Sequence, residues 1–192
     1  MDVWTVELPD DARAGDRRDA EGRVIAVIGA GGDRDRAKRP LMGAAGSAAD
    51  LLFVTSDNPR SEDPQAIIDD IVVGVSTPDV VAIPDRRSAI QAAIDAAQDG
   101  DEIVVAPGTY KENIDFNGKA IFLRSEKGAD KTVIDGMQAG SVVTFTSRED
   151  NDSVLMGFTI TNGTGTFDGE DYIGGGIYCV DAGPVIMHNI IE

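Results

Sequence analysis

Apolar runs alternate with polar, glycine- and proline-bearing stretches along this chain, and the period of that alternation changes once. Val24–Ile28, Leu51–Thr55 and Val80–Ile83 are short, nearly continuous apolar runs, the pattern of strands buried on both faces. Between them the apolar positions recur three and four residues apart. Pro40 can sit at the first position of a helix with Leu41, Ala44, Ala45, Ala48 and Ala49 inward. Pro64 opens a second helix with Ile67, Ile68, Ile71 and Val72 inward. Ser88 and Gln91 read as a capping box for a third helix over 89–98, with Ala89, Ile90, Ala93, Ile94 and Ala97 on one face and Gly100 as its left-handed stop. Ile103–Ala106 follows as a fourth strand, closed by the Pro107-Gly108 turn. Alternating strand and helix predict right-handed crossovers and a mostly parallel sheet, with ligands beyond the carboxyl ends of its strands.

After residue 100 the helical period disappears. Short β runs recur at Ile103–Ala106, Ala120–Arg124, Thr132–Ile134, Val142–Thr146, Leu155–Thr161, Ile177–Val180 and Val185–Ile191, separated by Gly, Asn and Asp turns. Runs this short and regular predict a sandwich or a solenoid. The stretch from Asp85 to Tyr110 therefore fits two architectures: the end of an α/β unit and the start of a repetitive all-β one. At the other end, Val3–Leu8 reads as a strand and Pro9–Gly22 as charged loop. The expected organisation is an irregular segment 1–22, an α/β domain 23–84, and an all-β domain 85–192 that opens with its capping helix. Ile190-Ile191-Glu192 reads as mid-coil, so the expectation is that the C-terminal end is missing or that its open apolar edge finds a partner, self-association included.

Charge narrows the partners. A net charge of −17 argues against nucleic acid, whose phosphates it would repel. No apolar run approaches a membrane span and no signal-peptide pattern opens the chain, so no membrane partner and a cytoplasmic location are expected. The single cysteine, Cys179, excludes an intrachain disulfide; alternating with Tyr178 in a strand, it reads as a core thiol.

The densest polar signal is GAGGDRDRAKRP, Gly29–Pro40. Gly29 and Gly31 after a strand suggest a dinucleotide turn, but the third glycine of that fingerprint falls at Arg34. Arg34, Arg36, Lys38 and Arg39 offer either a solvated helix entry or an anion clamp. In the second half Asp115, Asp135, Asp150, Asp152, Asp168 and Asp171 read as turn residues, and Asn162 and Asn189 as stacked turn asparagines. His188 has no nucleophile paired with it in sequence. These patterns identify no catalytic residue and no metal site.

GAGGDRDRAKRPLMG together with VTSDNPRSEDPQAIIDDI resembles the C-terminal domain of the Mur ligases, over about Gly22 to Ala97. The likeness is to the type that adds meso-diaminopimelate to UDP-N-acetylmuramoyl-Ala-Glu in peptidoglycan synthesis. It implies a partial Rossmann-like parallel sheet and a small-molecule partner, an amino acid or cell-wall precursor. Carried over, Asp57 and Asn58 would bind the distal amino and carboxyl groups of diaminopimelate. Arg60 would pair with a carboxylate in a bidentate fork, and Arg34 would hold another. The departures matter as much. The family's ATP chemistry needs Gly-x-x-x-x-Gly-Lys-Ser/Thr, which does not occur here. Where the family continues with Gly-Lys-Gly-His-Glu, this chain has Pro107-Gly108-Thr109-Tyr110. No cofactor is therefore expected in this chain; ATP and magnesium are implied only for the intact ligases.

AIQAAIDAAQDGDEIVVAPGTYKENIDFNGKAIFLRSEKGADKTVIDG, GFTITNG and GGGIYC resemble the right-handed parallel β-helix proteins of the pectate-lyase-like group, over about Ser88 to Glu192. That likeness implies an α/β domain followed by a truncated β-helix, and makes polysaccharide a second candidate partner. Relatives of this kind are often extracellular. Three readings stand side by side. The chain is the amino-acid recognition portion of a peptidoglycan-precursor ligase joined to a β-helix and not catalytically competent alone, a carbohydrate-binding or carbohydrate-active module, or a non-functional hybrid.

Overall fold

A computed structural model of the chain describes residues 22–33, 36–76 and 79–192. The expected strand Val3–Leu8, the charged stretch after it up to residue 21, and Arg34 lie outside these residues. Among the described residues no helix is long and apolar enough to cross a membrane.

The first half runs β1 (Val24–Ala30), α1 (Lys38–Gly46), β2 (Leu51–Ser56), α2 (Pro64–Val72), β3 (Val80–Ile83), α3 (Ala89–Ala96) and β4 (Glu102–Val105), with a 3₁₀ turn over Arg86–Ser88 before α3. The four strands lie in the order β4-β1-β2-β3, all parallel. β2 and β3 are added on one side of β1. The crossover through α3 then returns the chain to the other side, so the strand order reverses at β1.

Both faces of this sheet are covered, which is why its strands read as unbroken apolar runs. Ala26, Ile28, Leu52 and Val54 pack with Ile67, Ile68 and Ile71 of α2. Ile25, Val27 and Phe53 point the other way, into a cluster with Ala89, Ile90, Ala93 and Ile94 of α3.

Three details differ from the sequence expectation. Within α1 the buried residues are Arg39, Gly43 and Gly46; of the expected face Leu41 is 65% exposed, Ala44 and Ala48 are exposed and Ala45 half-buried, while Ala49, just past the helix, is buried as expected. The reason is close approach. A Cβ on Gly43 would stand 2.1 Å from the Ile71 carbonyl oxygen, and one on Gly46 2.8 Å from Leu52 Cδ1. On α2 Val72, expected inward, is 38% exposed. The Ser88 side chain makes no cap; the carboxylate of Glu112 accepts from the backbone N–H groups of Ile90 and Gln91 at 3.1 and 3.0 Å. At the other end of α3, Lys119 Nζ donates to the carbonyls of Ile94, Asp95 and Ala97 at 2.7, 2.7 and 2.9 Å.

The sheet does not end at β4. The chain continues through β5 (Gly108–Tyr110), β6 (Ile114–Asp115), β7 (Phe122–Ser125), β8 (Thr132–Asp135), β9 (Val143–Phe145), β10 (Val154–Met156) and β11 (Thr159–Thr161). A hairpin, β12 (Thr166–Phe167) and β13 (Tyr172–Ile173), interrupts the series before β14 (Ile177–Cys179), β15 (Val185–Met187) and β16 (Ile190–Ile191). β7, β10 and β15 extend the first sheet from β4, giving seven strands in the order β15-β10-β7-β4-β1-β2-β3. Two further sheets, β16-β11-β8-β5 and β14-β9-β6, are parallel throughout. β4 thus belongs to both halves, pairing with β1 on one side and β7 on the other.

The runs Leu155–Thr161 and Val185–Ile191 each divide into two strands that lie in different sheets, turning at Gly157 (φ 80°) and at His188 (φ 56°). One apolar cluster runs from Ile25 and Val27 past α3 to Tyr110, Ile114, Phe116, Phe145, Leu155 and Phe158. Phe116 and Phe145 meet there with ring centroids 4.4 Å apart. Cys179 is exposed rather than a core thiol, on an edge strand of its sheet.

Candidate functional site

The carboxyl ends of β1, β2 and β3 and the turn after β4 surround a cavity of about 960 Å³. Its walls are Gly31 after β1, Ser56–Arg60 after β2, Pro84–Arg87 after β3, and Gly108, Thr109 and Lys111 after β4. This is where a parallel sheet places ligands, because each strand there hands over to a polar loop.

The loop after β2 is held by its neighbours. The N–H of Asp57 donates to the Ala30 carbonyl at 2.8 Å, that of Gly32 to the Asn58 carbonyl at 2.8 Å, and Ser56 Oγ to the Pro84 carbonyl at 3.0 Å. A Cβ on Gly32 would lie 1.8 Å from the Pro59 carbonyl oxygen, so only glycine lets the two loops meet. Arg60 adopts φ 51°, with its N–H 3.3 Å from Asn58 Oδ1.

Arg39 secures the far end of this loop. It is 1% exposed, donates to both oxygens of Glu62 (2.9 and 2.7 Å) and to Asp70 Oδ2 (2.9 Å), and reaches the Gly31 carbonyl at 3.1 Å. The Glu62 carboxyl is pulled down to about 2, first by these bonds from Arg39 and then by the Asp33 N–H. Arg36 pairs with Asp70 at 3.0 Å. Arg36 and Arg39 therefore brace the loops internally and do not form a free anion clamp.

Of the residues expected to bind ligand, Asp57, Asn58 and Arg60 share the cavity wall. Arg34 lies outside the described residues. Asn58 spends its side-chain oxygen on the local turn, while Asp57 Oδ1 faces Arg86 Nη1 at 3.5 Å. Arg60 is exposed and makes no ion pair among the described residues.

Arg86 is the residue that sequence reasoning missed. It is 7% exposed, and its guanidinium carbon lies 3.9 Å from the centroid of the Tyr110 ring. Nη2 reaches the Pro107 carbonyl at 3.5 Å, while Nε and Nη1 have no hydrogen-bond partner. Two glycines make room for it: a Cβ on Gly108 would stand 2.1 Å from Nη2, and one on Gly29 2.7 Å from Nη1. Burial pushes the Tyr110 hydroxyl up to about 12, and the hydroxyl donates to the Ala106 carbonyl at 2.9 Å. Burial also raises the Glu112 carboxyl to about 7, against the bonds it accepts from the start of α3.

In the second half the aspartates close turns. Asp115, Asp135, Asp150 and Asp168 each accept the N–H two residues on, at 2.8 to 2.9 Å. Asn189 ties its turn to the β10–β11 segment, accepting from the Phe158 N–H and donating to the Leu155 carbonyl. Among the described residues no group of three or more His, Cys, Asp and Glu could hold a metal ion.

The family model for the Mur ligase, glutamate ligase domain, matches residues 12–109, just over half of the chain. The chain is 48% identical over 116 residues to the UDP-N-acetylmuramoyl-L-alanyl-D-glutamate–2,6-diaminopimelate ligase of Solibacter usitatus, covering 55% of this chain and 24% of that protein. It is 48% identical over 104 residues to the ligase of the same name from Aquifex aeolicus, covering 53% and 22%. For the Trichormus variabilis ligase the identity is 57% over 89 residues, covering 44% and 18%. The chain thus spans about a quarter or less of the length of these relatives. With the matched residues forming the parallel sheet and most of the cavity wall, the chain belongs to the Mur ligase family through its glutamate ligase domain.

Proposed function

We propose that the first half is the amino-acid recognition portion of a peptidoglycan-precursor ligase, specific for meso-diaminopimelate, and that it is not catalytically competent alone. The observation that carries this reading is the meeting of Asp57, Asn58 and Arg60 on one cavity wall, in a chain of which about half aligns, at 48–57% identity, with ligases named for 2,6-diaminopimelate. A diamino diacid needs fixed cations and a fixed anion together. In this proposal Arg60 and Arg34 take carboxylates, and Asp57 and Asn58 take the distal amino and carboxyl groups. ATP and magnesium act in the intact ligases and have no site proposed in this chain. The reaction so served is cytoplasmic.

Residues 85–192 are proposed to be the start of a right-handed parallel β-helix with α3 as its cap. The support is three parallel ladders that successive coils extend strand by strand. No carbohydrate site is proposed, since four of the candidate aspartates serve turns.

Calorimetric titration of meso-diaminopimelate and of lysine tests the ligand. A dissociation constant of roughly millimolar, about 4 kcal/mol, is expected for diaminopimelate. Lysine, lacking the distal carboxylate, should bind more weakly, and Arg60→Ala should abolish what binding there is. Equal affinity for both ligands, or an unaltered Arg60→Ala profile, would overturn the proposal.

A further inference from the structure

Arg86 destabilises the fold where it stands. It is more than nine-tenths buried, and Nε and Nη1 have no hydrogen-bond partner. Nη2 reaches the Pro107 carbonyl at 3.5 Å, the long end of the range for such a bond. A guanidinium buried with so few bonds loses more than an apolar side chain of similar length would in the same space. The carboxylate it faces belongs to the cavity wall: Asp57 Oδ1 lies 3.5 Å from Nη1.

The groups that hold Arg86 come from beyond residue 109, where the family match ends. The Tyr110 ring lies 3.9 Å from the guanidinium carbon and is itself fully buried, its hydroxyl bonded to the Ala106 carbonyl. The segment that follows Arg86 is gripped from the same stretch. Glu112 accepts from the N–H groups of Ile90 and Gln91. The Gln91 side chain accepts from the Asp115 N–H at 2.7 Å and donates to its carbonyl at 3.1 Å. Gly29 and Gly108 shape the slot around the guanidinium. Residues 110–115 thus fix residues 86–91, and Arg86 in turn stands against Asp57.

We propose that Arg86 is a positioning residue for Asp57: clamped on the Tyr110 ring, it holds one carboxylate oxygen and so aims the carboxylate at a ligand ammonium group, which makes recognition by the first half depend on the start of the second. This rests on the proposed function, in which Asp57 takes the distal amino group of diaminopimelate. A carboxylate already held in one orientation loses little freedom when the ammonium arrives, and that saving appears as affinity.

The test is calorimetric titration of the full chain with meso-diaminopimelate and with L-2-aminopimelate, which lacks the distal amino group. The unmodified chain should prefer diaminopimelate roughly tenfold, the size of one charge-assisted contact. Arg86→Met should bring that ratio close to one by weakening diaminopimelate, with Tm unchanged or higher because a poorly bonded charge has left the core. Tyr110→Leu should also collapse the ratio. Tyr110→Phe keeps the ring and should preserve the ratio even where its Tm falls. A merely structural role would weaken both ligands alike; a ratio preserved in Arg86→Met, with Arg60→Ala still abolishing binding, would overturn this inference and leave the proposed function standing. Tighter diaminopimelate binding in Arg86→Met would also overturn it, since Arg86 would then only neutralise Asp57. A ratio preserved in Tyr110→Leu would overturn the clamp by the second half. Equal affinity of the unmodified chain for the two ligands would remove the ammonium contact and the inference with it, and binding of neither would sink the proposed function as well.

Discussion

Arg39 and Glu62 meet through two parallel hydrogen bonds, Nη1 to Oε2 at 2.9 Å and Nη2 to Oε1 at 2.7 Å, and so tie helix α1 to the loop that carries Asp57, Asn58 and Arg60. The Glu62 carboxyl is held at about 2, below its ordinary 4.5. A lowered folded-state value contributes stability that is complete above about pH 4.5 and is lost as the pH falls towards 2. Glu62→Gln should therefore lower the urea midpoint at neutral pH and flatten the acid limb of the stability profile. An acid limb as steep as in the unmodified chain would show that Glu62 does not supply it.

Glu112 has the opposite sign. Its carboxyl is raised from 4.5 to about 7 by burial, so its contribution is complete below about pH 4.5 and is lost as the pH rises through 7. The loss is at most about 3 kcal/mol, the full shift converted at 1.36 kcal/mol per unit. Glu112→Gln should remove this decline between pH 4.5 and 7, at the cost of one acceptor for the Ile90 or Gln91 N–H. Urea midpoints measured across that range check it.

Lys119 closes the other end of α3 with three bonds to carbonyls. Lys119→Met keeps most of the side-chain bulk and removes the donors. A loss of about 1–2 kcal/mol is expected, read as a fall in Tm of a few degrees. An unchanged Tm would mean that water caps these carbonyls equally well.

A side chain at Gly108 must displace Arg86, because Arg86 Nη2 occupies the space a Cβ needs. Gly108→Ala is expected to cost about 1–3 kcal/mol and to push the guanidinium off the Tyr110 ring. Tyrosine fluorescence or absorbance should register the altered contact, while circular dichroism stays native.

The strands of the first half were legible because burial on both faces leaves unbroken apolar runs such as Val24–Ile28, and Ile67, Ile68 and Ile71 announce their helix by spacing alone. The contact face of α1 was not legible. Gly43 and Gly46 are chosen by what stands opposite, Ile71 and Leu52, and a hydrophobicity pattern does not carry that. The Ser88 cap was a sound local reading overruled by Glu112, whose carboxylate arrives from 21 and 22 residues away. Asp57, Asn58 and Arg60 could be named together because they form one contiguous motif. Arg86 was missed because what marks it is distant in sequence: the ring of Tyr110 and the bare backbone of Gly29 and Gly108. The double use of β4 was partly visible, since its segment fitted two architectures, and β4 pairs with β1 on one edge and with β7 on the other.

The central claim is that the wall formed by Asp57, Asn58 and Arg60 recognises meso-diaminopimelate. Titrating this ligand into isotopically labelled chain and following backbone amide shifts tests it most directly. The account predicts saturable shifts concentrated at Gly31, Asp57, Asn58, Arg60 and Arg86, absent in Arg60→Ala. Saturable shifts confined to residues beyond 120, or none at this wall at ligand concentrations above the millimolar range, would contradict it.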